Sequence, residues 1–260
     1  MLDPLYQSEF FIIYAAIAAF LTGLITAMGG SGGLVITPFL ISSGLPIHLA
    51  IGTAKFSSLG LWLVTLFKFN KANKIEWGFV KKLTVIAVAG SIIGSSITIN
   101  LDQNIIYFVA GIALIIIAPI GMLQTNIGLL QVKYSQKRET IGYILYFFTM
   151  VFAGFFGAGA GTFALIVLTS FLGLTAIQAS ATNIMPLMCL TIVSSAIFMW
   201  NGYVDYKLSI IIFVGMTIGS WIGSNIAIKG GSKLVKYFAL SFAFIVGVKM
   251  LLESFHFAIG

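Results

Sequence analysis

The chain has 260 residues, 59% of them hydrophobic and 8% charged, with a net charge of +7. Water-soluble domains carry roughly 25% charged residues, so this inventory excludes a protein with an aqueous surface on every side. Apolar runs at 10–27, 85–99, 105–123, 210–228 and 234–252 each supply most or all of the ~20 residues a helix needs to cross hydrocarbon, and they lack the alternation of a transmembrane β-barrel.

Taken in chain order, the start MLDPLYQSEF has no basic n-region, so no cleavable signal peptide is expected. Helical segments are predicted at about 10–29, 33–44, 46–69, 78–98 and 104–124. A second set follows at about 141–158, 162–173, 175–199, 208–228 and 233–252. The segments 33–44 and 162–173 are too short to cross alone and are bounded by glycines, which predicts half-helices or re-entrant arms. The lone Cys189 lies in an apolar stretch and is read as packing.

The basic residues cluster at Lys68, Lys71, Lys74, Lys81 and Lys82, at Lys133, Lys137 and Arg138, and at Lys229, Lys233 and Lys236. Such dispersed loop charge suits orientation and anionic lipid rather than nucleic acid. The positive-inside rule places the three clusters in the cytoplasm and both termini outside.

Sliding the chain on itself by 129 positions, so that Gly30 meets Gly159, aligns the two sets without gaps. Gly32 then meets Gly161, Gly44 meets Gly173, Ala50 meets Ala179 and Thr53 meets Thr182. Gly90-Ser91-x-Ile93-Gly94-Ser95 meets Gly219-Ser220-x-Ile222-Gly223-Ser224. The expected architecture is an all-α polytopic membrane protein of two repeats, about five helical segments each. Residues 1–129 form the first, 130–140 a cytoplasmic linker and 141–260 the second. An odd number of crossings per repeat makes them inverted, with a substrate site expected at their interface near the bilayer midplane.

Candidate binding residues gather there. Gly30, Ser31, Gly32 and Gly33 precede the first arm; Gly159, Gly161 and Thr162 stand at the start of the second. A helix start exposes N–H groups and a positive dipole end, which suits an anion. Close helix packing through small-xxx-small spacing is the competing reading. Lys55 lies deep in its apolar segment with no acid to pair with; an anionic substrate is one partner, carbonyls at a helix break or snorkelling the others. Thr53 and Ser57 share its helix, and Thr182 and Asn183 lie on the matching one. His48 could carry protons, but its place near a helix end favours an interfacial reading. Gly90/Gly94 and Gly215/Gly219/Gly223 read as smooth crossing faces. Trp62, Trp77, Trp200, Tyr203 and Tyr206 read as a set containing interface anchors. No H-E-x-x-H, Ser/His/acid set or metal-ligand cluster is present, so no catalytic residue, metal or cofactor is expected.

The runs GGSGGLVITPFL, GLPIHLAIGTAKF and GFFGAGAGTF…ASATN resemble the TauE/SafE sulfite-exporter family over about residues 10–252. Val167 stands where the repeat would match Pro38, a departure within the second arm. The resemblance implies movement of sulfite, sulfonates or related sulfur anions across the cytoplasmic membrane. Alternating access and export down the membrane potential are the expected mode. An anion channel of the same architecture and a non-transport assembly subunit are the rival functions.

Overall fold

The computed structural model describes residues 10–29, 33–102, 105, 131–132 and 134–230. Ten helices cover most of these residues, and among the described residues there is no strand. They are α1 (Phe11–Ala27), α2 (Gly33–Ser42), α3 (Ile47–Ser57), α4 (Leu59–Lys71) and α5 (Trp77–Asn100). Then come α6 (Gln136–Phe155), α7 (Ala160–Phe171), α8 (Ala176–Thr182), α9 (Ile184–Trp200) and α10 (Tyr206–Gly230). In hydrocarbon every backbone polar group must be satisfied within the protein, which is why apolar sequence of this kind becomes helix.

Among the described residues, four spans are long and apolar enough to cross a membrane: Ile47–Lys71, Trp77–Asn100, Ala176–Trp200 and Tyr206–Gly230. The first and third join α3 to α4 and α8 to α9, with interruptions at Ser58 and Asn183. A span of 25 residues is ~37 Å long at ~1.5 Å per residue, against a hydrocarbon core of ~30 Å. The arms α2 and α7 have 10 and 12 residues, too few to cross unaided, as expected. The predicted segments at 104–124, apart from Ile105, and 233–252 lie outside the described residues. Helix α6 begins at Gln136 rather than near 141, inside the stretch read as linker. Its polar first turn is anchored by Arg138, whose Nε and terminal nitrogen donate to Ser170 O at 3.1 and 2.7 Å.

Several positions 129 apart form the same local structures, although the interruptions at Ser58 and Asn183 do not correspond. The four spans themselves recur: Ile47 and Lys71 correspond to Ala176 and Trp200, and Trp77 to Tyr206. After α4, Lys74 N–H reaches Phe69 O at 3.1 Å, and after α9 its counterpart Tyr203 N–H reaches Phe198 O at 2.9 Å. The residues at the apex of these turns are Asn73 and its counterpart Gly202, with φ of +51° and +73°. Gly44 and Gly173 end the two arms at φ of +98° and +74°. Left-handed backbone favours Gly, with Asn the usual substitute, so these four residues are read as turn chemistry.

Helix crossings repeat too. Helix α5 packs mainly on α6 and α9. Gly90 and Gly94 of α5 lie so close to the α6 backbone at Met150, Val151 and Phe155 that a Cβ at either would collide. Gly219 and Gly223 of α10 meet α1 at Phe20 and Leu24 in the same way. The small-residue faces therefore serve close helix crossing. Each half's long helix rests on the other half's first helix.

Candidate functional site

The site begins with the end of α6. Gly157 and Gly159 take φ of +84° and +88°, turning the chain into α7. Gly157 N–H bonds Phe152 O, so Ala153, Gly154 and Phe155 carry the orphan carbonyls that every helix C-terminus exposes. Each is satisfied from another helix. Lys55 Nζ donates to Ala153 O at 2.8 Å and Gly154 O at 2.9 Å. Ser95 Oγ lies 3.1 Å from Gly154 O, and Thr98 Oγ donates to Phe155 O. The third Lys55 donor goes to Ser194 Oγ at 3.3 Å. Ser194 in turn lies 2.8 Å from both Ser91 Oγ and Ser95 Oγ.

Lys55 is 8% exposed, and all its polar partners among the described residues are neutral oxygens. The negative end of the α6 dipole faces its ammonium, and the Phe198 ring stands 5.9 Å away.

Lys55 also lines a cavity of about 110 Å³ to which both halves of the chain contribute. Counterparts contribute in pairs: Ile36 with Leu165, Ile51 with Ser180, Ala54 with Asn183, Lys55 with Ile184, Leu61 with Leu190 and Trp62 with Thr191. The wall is apolar with a few spaced polar groups, the usual make-up of a small-molecule site. Lys55 facing Ile184 makes it electrostatically one-sided.

Of the residues singled out by sequence, Gly33, Lys55, Gly161 and Asn183 line this cavity. Asn183 sits at the α8–α9 interruption and accepts the hydroxyl of Tyr146, which is fully buried. Gly159 caps α7 between two lining alanines. Thr162 is buried, with no hydroxyl partner among the described residues. Gly30, Ser31 and Gly32 lie outside the described residues.

Thr53 and Thr182 are not among the lining residues. Thr53 Oγ accepts the Asp205 N–H at 3.0 Å, and Thr182 Oγ accepts the Glu76 N–H at 3.0 Å. Glu76 precedes α5 and Asp205, its counterpart, precedes α10, so each threonine holds the start of the other half's long helix. Ser57 bonds Thr53 O within its own helix. His48 is tied inward, its Nε2 3.0 Å from Thr98 O and its ring stacked on Tyr203.

Sequence reasoning missed Trp62, Thr65 and Thr191 as lining residues, and the Ser91–Ser95–Ser194 cluster. Trp62 belongs to the cavity wall, not to a membrane interface. Its position near the middle of a 25-residue span was the available signal. Ser91 and Ser95 show in the sequence only as matched repeat positions and Ser194 not at all, because their partners lie about a hundred positions away.

Interrupted apolar spans around a cavity with an embedded lysine define a polytopic membrane protein of the transporter class. The chain belongs to the TauE/SafE family: the family described as "Sulfite exporter TauE/SafE" matches residues 15–250. It is similar to a "Probable membrane transporter protein" of Haemophilus influenzae, 22% identical over 92% of this chain and 94% of that one. It is also similar to the "Probable membrane transporter protein YfcA" of Escherichia coli K12, 22% identical over 98% of this chain and 93% of that one. A third relative is the "Probable membrane transporter protein YdhB" of Bacillus subtilis, 25% identical over 79% of this chain and 86% of that one. No solved structure matches the chain.

Proposed function

We propose that this protein moves a small anion, namely sulfite, a sulfonate or a related sulfur oxyanion, outward across the cytoplasmic membrane. The observation that carries this reading is Lys55, a buried cation with neutral partners at the wall of a cavity shared by both halves. A charge in hydrocarbon is costly, and an anion in the cavity offsets that cost. The sulfur chemistry rests on the family; no catalytic step is proposed.

Alternating access between two inverted repeats is the proposed mechanism. Reciprocal bonds, Thr53 with Asp205 and Thr182 with Glu76, support a two-fold relation, since an isologous contact always occurs twice. The basic clusters support cytoplasmic linkers and external termini. Rocking of one repeat against the other would open the cavity to each side in turn. In a cell negative inside, each exported negative charge gains ~2.3 kcal/mol per 100 mV.

Flux of sulfite and small sulfonates in proteoliposomes under an imposed potential tests the reading. Saturable, potential-driven flux of at least one is expected. Folded protein that moves none of them would contradict it.

A further inference from the structure

Interrupted helices in transporters coordinate coupling cations through the orphan carbonyls at their C-terminal ends. The end of α6 has that form, with the carbonyls of Ala153 and Gly154 and the hydroxyl of Ser194 converging on one point, and Ser95 bonded behind them to Gly154 O and Ser194 Oγ. What occupies the point is the Lys55 ammonium. We propose that Lys55 is a tethered monovalent cation, filling an oxygen cage at the broken end of α6 that a free cation would otherwise occupy. It gives the carrier a fixed positive charge in place of an ion that arrives and leaves with each cycle.

The other half of the chain supplies the internal comparison. Lys55 corresponds to Ile184, and there the matching hydroxyls do not converge. Thr65, the counterpart of Ser194, donates to Leu61 O in its own helix. Ser220, the counterpart of Ser91, donates to Thr217 O in its own helix. Ser224, the counterpart of Ser95, has no partner among the described residues. Hydroxyls gather into a cage only where a cation is present to gather them.

The chemistry fits a monovalent ion. Every ligand is a neutral carbonyl or hydroxyl, and no carboxylate takes part. The N···O distances of 2.8 and 2.9 Å describe a cage sized for ammonium, which also accepts potassium. The charge is covalently held by α3, so it stays in the membrane whatever anion is carried. Net movement of a cation through this position is thereby excluded from the cycle.

Thermal unfolding of purified full-length protein in detergent tests this without requiring any transport. Wild type and Lys55→Ala are compared in chloride salts of ammonium, potassium, sodium and N-methyl-D-glucamine at equal ionic strength. The wild-type Tm should be the same in all four. The Lys55→Ala Tm should be lower in N-methyl-D-glucamine and rise with ammonium or potassium concentration in a saturable way. Adding Ser194→Ala should weaken that rise, because one ligand is gone. A Lys55→Ala Tm indifferent to the cation would overturn the proposal, as would a wild type that responds equally. An undiminished rise in the double variant would place the cation elsewhere and overturn it too. Should Lys55→Ala unfold on extraction, recovery only in ammonium or potassium supports the cage, and failure in every salt counts against it.

Discussion

Trp62 donates its indole N–H to the hydroxyl of Thr191 at 3.1 Å, and the two residues are counterparts, 129 positions apart. A residue bonded to its own counterpart lies beside whatever operation relates the halves, so this pair marks the centre of the proposed two-fold arrangement. Both line the cavity, which puts the proposed anion path at the same centre.

Replacing Trp62 by Phe keeps an aromatic wall and removes the donor. The loss of one hydrogen bond should lower stability by ~0.5–1.5 kcal/mol, read as a small drop in Tm. Trp62→Ala should cost more, because it also removes a ring packed against the core clusters. Equal Tm values for the two variants would show that the ring contributes nothing.

The matched threonines give a paired prediction. Thr53→Val and Thr182→Val each leave a backbone N–H, of Asp205 and Glu76 respectively, without its acceptor. Each should lower stability by ~1–3 kcal/mol, by similar amounts, in thermal unfolding. Both variants should keep the substrate affinity of wild type in flux assays, since neither threonine lines the cavity. A large change in affinity without a change in Tm would mean that the threonines touch substrate.

Glycines at the crossings should be intolerant in a graded way. Gly94→Ala and Gly223→Ala drive a methyl into the facing backbone at Val151 and Leu24. Overpacking of this kind costs ~1–3 kcal/mol. Gly78 in α5 is the control, with open space where an added methyl would stand, and Gly78→Ala should gain ~0.5–1 kcal/mol from helix propensity. A Tm series by differential scanning fluorimetry checks the order.

Much of this fold was legible in the sequence, and the reason is length. Apolar runs of membrane-crossing size, the arms too short to cross and glycines matched at one offset are patterns that a single chain displays. Gly44, Gly173 and Gly202 stand at left-handed turns because few other residues fit there, and sequence carries that constraint openly.

The site was legible only in part. Lys55 stood out because lysine in an apolar segment is costly, yet its partners are carbonyls 98 and 99 positions away. Backbone oxygens leave no mark in the residue code, so an anion and a helix end looked alike as partners. Thr53 and Thr182 were visible as a pair, but nothing local says that their hydroxyls face Asp205 and Glu76 rather than the cavity. Trp62 resembled an interface anchor by residue type alone. Hydrogen bonds between distant helices have no sequence period, and that is where reading the chain stopped.

The most direct test of the central claim is potential-driven sulfite flux by Lys55→Met beside wild type, both shown folded by their unfolding transitions. If the fixed charge at the cavity wall stabilises the anion, Lys55→Met should lose about tenfold or more in flux, equivalent to ~1.4 kcal/mol of anion stabilisation. Sulfite flux by folded Lys55→Met equal to that of wild type would contradict the account, and would remove Lys55 and its cavity from the path of the anion.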